Sequence, residues 1–239
     1  MVDVTTIPNA PSQERERLIL EAIIGGQAEP IVWCPITSAK GNHVCKLWVA
    51  EDALKVGGIR LTMTHRTAQQ VADYFDARLP TARISDMTWA QATVRVAPLP
   101  QYGWVVDGTM SHTDRMVEIS RMVDELIAGR KGLVSSVGKD WVLTKQLVPD
   151  RAANYGWHRL RDGKPWQPVG LAHDLGHTDY SEGVRLVCRT CEVDGVRMPL
   201  DNVLRSKELA TLVSHEGVLP FVRHPGVTWV EPGAALEDP

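Results

Sequence analysis

Helical periodicity through the first half of the chain, alternating strand-like runs after Gly132, and the lack of a regular strand–helix–strand repeat predict a single α+β domain. Helices are expected mainly in the first half, with a mostly antiparallel sheet in the second. At 239 residues the chain is long enough to bury one substantial core. Residues 1–11, polar and holding two prolines, read as a flexible arm; residues 12–224 form the domain, and 225–239 read as a loose C-terminal tail.

The elements follow in order. Ser12 opens a helix whose apolar positions Leu18, Ile19, Ala22 and Ile23 share a face, and Gly25-Gly26 ends it. Ile31–Trp33 and Val44–Val49 read as strands around a Ser-Ala-Lys-Gly-Asn turn, and Gly58–Met63 as a third. Thr67 and Gln70 have capping-box spacing ahead of Val71, Ala72, Phe75 and Leu79, a stripe that Pro80 stops. A short helix follows Ser85, and a strand runs through Val94–Val96. Ser111 and Asp114 repeat the capping-box spacing ahead of the clearest helix, with Met116, Ile119, Val123, Leu126 and Ile127 expected to face inward up to Gly129. Leu133–Val137 and Asp140–Thr144 read as a strand pair around Gly138-Lys139. Val184–Val187 and Val196–Leu200 are strands joined through Asp194-Gly195, a hairpin signal, and Ser206 opens a last helix.

Composition narrows the function classes. A formal charge of −3 with interspersed signs offers no basic face for a phosphate backbone, so nucleic acid is not an expected partner. No apolar run approaches the ~20 residues that span a bilayer. The first residues lack a basic segment followed by an apolar one, so no signal peptide is expected and the location would be cytoplasmic or virion-associated. The four cysteines are then reduced by default; Cys188 and Cys191 have C-x-x-C spacing, but Cys34 and Cys45 are too far apart to make the second close pair of a zinc ribbon.

Chemistry concentrates in residues 154–186, where His158, His173 and His177 fall together with Asp174, Asp179 and Glu182. Long polar loops of this kind inside a compact domain are more often binding surfaces than idle connectors. His173 and His177, four apart, would share one face of a helix; with Asp179 they form a three-ligand set suited to zinc, leaving a position for water. His158 is an alternative ligand or an oriented base, Glu182 or Asp174 the proton carrier, and Arg185 a stabiliser of developing negative charge. Tyr155, Trp157, Trp166, Tyr180 and Ser181 are the candidate substrate-binding residues, the tryptophans serving as an aromatic wall. Metal-free acid–base work by Ser181 or Tyr180 beside a histidine remains open, as does a purely structural role as turn residues and ion pairs.

Asn-Tyr-Gly-Trp-His at 154–158, Gly-Lys-Pro-Trp-Gln-Pro at 163–168 and His173 followed by Asp179-Tyr180-Ser181-x-Gly183-x-Arg185-Leu186 resemble blocks shared by a group of uncharacterised bacterial and phage proteins. Asp-Ala-Leu-Lys-x-Gly-Gly at 52–58 and Arg-Leu-Pro-Thr at 78–81 are similar too, so the resemblance covers most of residues 40–195. It implies one shared domain with a site near His158, His173, Asp179 and Arg185, and no particular reaction. Glu182 stands where that group often has histidine.

The resulting expectation is a hydrolase, metal-assisted with zinc as the candidate cofactor, acting on a glycan or peptide of the cell envelope. The alternatives are a non-catalytic carbohydrate- or protein-binding module and a phage protein that sequesters a small-molecule ligand.

Overall fold

The computed structural model describes residues 1–233 and 239. Residues 1–12 have no regular structure yet are not a free arm: Val4 and Ile7 are buried in the core, and the Gln27 side chain bonds both the N–H and the carbonyl of Val2. α1 (Gln13–Ala22), capped by Ser12, runs into a π turn (Ile23–Gln27) in which Gly26 takes a left-handed φ of 77°. β1 (Trp33–Lys40) and β2 (His43–Ala50) make a hairpin, and the short β3 (Lys55–Val56) and β4 (Ile59–Arg60) make a second. α2 (His65–Tyr74) is capped by Thr64 rather than Thr67, whose own N–H bonds the Thr64 hydroxyl.

α3 (Ala82–Gln91) begins four residues ahead of the expected start, because the Thr81 side chain caps it. β5 (Val94–Arg95) is followed by α4 (Tyr102–Val106) and α5 (Thr113–Ile127). α5 buries Met116, Ile119, Val123 and Ile127, but Leu126 faces solvent. The expected strand pair around Gly138 does not exist. β6 (Val134–Ser135) pairs in parallel with β5, while β7 (Lys139–Trp141) joins β8 (Asn154–His158), β9 (Pro165–Gly170) and β10 (Glu182–Gly183). β11 (Val187–Val193) and β12 (Val196–Pro199) form the predicted hairpin through Asp194-Gly195. α6 (Leu200–Arg205) then precedes Ser206, and only a 3-10 turn (Ala210–Leu212) follows it, so the last helix lies earlier than its sequence signal.

Two four-stranded sheets result, β1-β2-β11-β12 and β10-β7-β8-β9, and all their pairings are antiparallel except β10 with β7. The longest strands, β1 and β2, come early in the chain, so sheet structure is not confined to the second half; five of the six α-helices described lie before residue 128. α3 touches both β1 and β8 and so ties the sheets together. One continuous apolar core runs from Ile19 through Leu47, Leu79, Ile84 and Trp141 to Leu219, which makes the chain a single α+β domain. The tail is partly tied down as well. Val227 is buried and the Gly233 N–H bonds the Tyr74 carbonyl; the expectation for 234–238 lies outside the described residues.

Candidate metal centre

His173 and His177 lie on the connection from β9 to β10, and the helix expected through them does not form. Asp174 makes the difference: its side chain accepts the Gly176 N–H at 2.7 Å and its carbonyl takes the His177 N–H, a local turn in place of a helical one. The turn is held from below, since Ala152 N–H bonds the His173 carbonyl. It still brings the imidazoles together, stacked with centroids 3.7 Å apart and planes 3° apart.

The third member of the cluster is Glu182. One ligand-capable atom from each of His173, His177 and Glu182 lies within 4.8 Å of the others. Glu182 is fully buried at the start of β10; its Oε1 accepts Asn154 Nδ2 at 2.8 Å and sits 3.3 Å from Lys139 Nζ. Gly138 allows β10 to come so close to β7, because a Cβ there would lie 2.6 Å from the Ser181 carbonyl oxygen. Asp179, the ligand expected from sequence, stands at the margin: its Oδ1 accepts both the N–H and the hydroxyl of Ser181, and its Oδ2 is 3.3 Å from Lys139 Nζ and 3.8 Å from His177 Nε2. Nε2 of His177 is buried without a hydrogen bond, 3.7 Å from Glu182 Oε2.

The electrostatics follow from this packing. Burial, then the Asp179 charge, raise the Glu182 carboxyl from 4.5 to about 7 in spite of Lys139 and His177. Burial acts against the charge on Asp179 too, but His177, Lys139 and the Ser181 hydrogen bonds outweigh it and hold the carboxyl low. At Lys139 the two carboxylates overcome burial and raise the ammonium. Burial opposes protonation of His177, Asp179 and Glu182 more than offset it, and its pKa rises; His173 is pushed down by burial and by the neighbouring His177 and Lys139.

His158 and Arg185 are not in this cluster. The Arg185 guanidinium is buried and donates to the carbonyls of Ala50 and Val134 at 2.6 and 2.8 Å, so it fastens backbone and has no reach toward a reacting group. His158 belongs to a second constellation. The β8 backbone takes positive φ at Gly156 (107°) and Trp157 (57°), and Tyr155 and His158, which a regular strand would send to opposite faces, both reach Asp86 on α3. Asp86 Oδ1 accepts the Tyr155 hydroxyl at 2.7 Å and lies 2.8 Å from His158 Nε2; Oδ2 lies 2.6 Å from Nε2 of His215. Burial works against the Asp86 charge, but these three partners outweigh it and lower the pKa. Trp89 stacks on His158 at 5.6 Å. Asp86 and His215 were not among the sequence candidates. The one cue is an acidic residue between Ser85 and Trp89 on a largely buried helix; His215 carries no local signal.

The aromatic candidates divide. Trp157 and Tyr180 are buried, with rings 6.3 Å apart, and the Tyr180 hydroxyl accepts the Gln101 N–H. Tyr155 is buried against Asp86 and Ser181 against Asp179, whereas Trp166, 43% exposed and edge-on to Trp157, presents a ring to solvent. None of the four cysteines joins a three-ligand group among the described residues. No helix there is long and apolar enough to cross a membrane. No family model matches the chain, and neither a curated protein nor a solved structure is similar to it.

Proposed function

We propose that this chain is a metal-assisted hydrolase whose centre is His173, His177 and Glu182. The observation that supports it is the buried Nε2 of His177, which makes no hydrogen bond, within a cluster of three ligand-capable groups. Two imidazoles and one carboxylate suit zinc, which supplies Lewis acidity and acidifies water at its open position. A bound cation requires neutral imidazoles and an ionised Glu182, and in that state Asp179 and Glu182 against Lys139 leave one net negative charge for the ion to neutralise.

In this reading Asn154 and Lys139 orient Glu182, while Ser181 holds Asp179 so that it fixes Lys139 and His177. Glu182, committed to the cation, leaves proton transfer to the exposed Asp174 on the turn between the imidazoles. The substrate class, a glycan or peptide of the cell envelope, rests on the resemblance to phage and bacterial proteins and on the Trp166 ring, and a cytoplasmic or virion-associated location goes with it.

The test is zinc stoichiometry together with turnover of purified cell-wall polymer. One equivalent of zinc in the wild type, and its loss together with turnover in His173→Ala, supports the proposal. Full activity of His173→Ala, or no bound metal, refutes it. Saturable binding of the polymer without turnover assigns the chain to the binding-module alternative, with Trp166 as the contact.

A further inference from the structure

The cavity between α1 and α2 ends on the loop that carries both imidazoles. It has a volume of about 750 Å³, within the ~300–1,000 Å³ range of small-molecule sites, and Leu175 and Gly176, two of the three residues between His173 and His177, line it. Leu20 and Leu175 supply apolar wall, Gln70 an amide, and Glu16, Arg17 and Arg66 its charges.

The charges are not equivalent. Glu16 is neutralised, with Oε1 on Arg15 and Oε2 accepting from the N–H and hydroxyl of Thr64. Arg17 is paired with Glu14 and Glu21 on its own helix. Arg66, exposed in the first turn of α2, has no ion pair or hydrogen bond from its side chain among the described residues. An uncompensated guanidinium on the wall of a large, mainly apolar cavity offers an anion a partner, and its planar fork matches a carboxylate.

We propose that this cavity is the substrate groove of the metal centre and that Arg66 selects a substrate bearing a carboxylate, as at the end of a peptide. Its role as substrate groove rests on the hydrolase reading; its preference for an anion does not. The carboxylate docks on Arg66, an apolar body lies between Leu20 and Leu175, and the scissile group extends toward the loop of His173 and His177.

Calorimetry with acetyl-trialanine as the free acid and as its C-terminal amide tests the selection. The acid is expected to bind the wild-type protein about tenfold more tightly than the amide, and Arg66→Gln to abolish the difference without changing zinc stoichiometry. Manganese in place of zinc then reads the distance: the bound acid's methyl protons should relax faster in the wild type and not in His173→Ala. Equal binding of acid and amide, or discrimination that survives Arg66→Gln, overturns the proposal even where zinc binds. Discrimination by Arg66 in a protein that takes up no metal leaves the anion site standing and removes the hydrolase reading together with the cavity's role as substrate groove. Unenhanced relaxation in a manganese-loaded protein separates the groove from the centre and overturns its role as substrate groove.

Discussion

Glu182 gives the sharpest energetic prediction. A carboxyl raised from 4.5 to about 7 carries a penalty of about 3 kcal/mol on its charged form, at 1.36 kcal/mol for each pH unit. Because the folded-state pKa lies above the unfolded one, this contribution is fully present below pH 4.5 and is lost as the pH rises through about 7. The metal-free wild type should therefore lose up to about 3 kcal/mol relative to Glu182→Gln between pH 4.5 and pH 8. A divalent ion reverses the sign, since it favours the carboxylate. Zinc at about 100 times its Kd should stabilise the wild type at pH 8 by about 3 kcal/mol and Glu182→Gln by far less. Urea denaturation of both proteins at several pH values, with chelator and with zinc, measures each quantity. A difference between the two proteins that stays flat with pH, or equal stabilisation of both by zinc, refutes the reasoning.

Removing the Asp86 carboxylate by Asp86→Ala strands the buried Tyr155 hydroxyl and His158 and should cost about 2–4 kcal/mol in urea denaturation, whereas His215→Ala, at a half-exposed ring, should cost under about 1 kcal/mol. His65 is fully buried, 4.8 Å from His224, and burial lowers both pKa values, further for His65 beside its neighbour. Their stabilisation is complete above the unfolded value of about 6.5 and is lost as the pH falls below it, so thermal melts should show Tm dropping from pH 7.5 to pH 5.5, and less steeply in His65→Gln. Arg185→Met leaves the Ala50 and Val134 carbonyls without their donors and should destabilise by about 2–4 kcal/mol while zinc stoichiometry is unchanged, as titration calorimetry would show.

Local signals in the chain were read well where one element decides the outcome. The α5 stripe and the Asp194-Gly195 hairpin depend on periodicity and turn chemistry, and both stand as expected except at Leu126. Strand partners did not follow from local sequence, because β7 leaves its neighbour β6 to pair with β8 and β10 from further along the chain. The same division runs through the site. His173 and His177 are visible because they lie four positions apart across one turn, whereas the third member of the cluster comes from β10 in place of the nearer Asp179. Arg185 looked like a functional cation only because its burial and its two carbonyl partners are products of the tertiary fold.

The Asp86 carboxylate joins α3 to residues 72 and 129 positions further along the chain. Latches that span so much sequence carry a high loop-closure cost, so this knot is expected to close late in the order of assembly. Amides of α3, the His158 end of β8 and the segment around His215 should then exchange with deuterium as one cooperative unit, opening together and earlier than the β1–β2 hairpin.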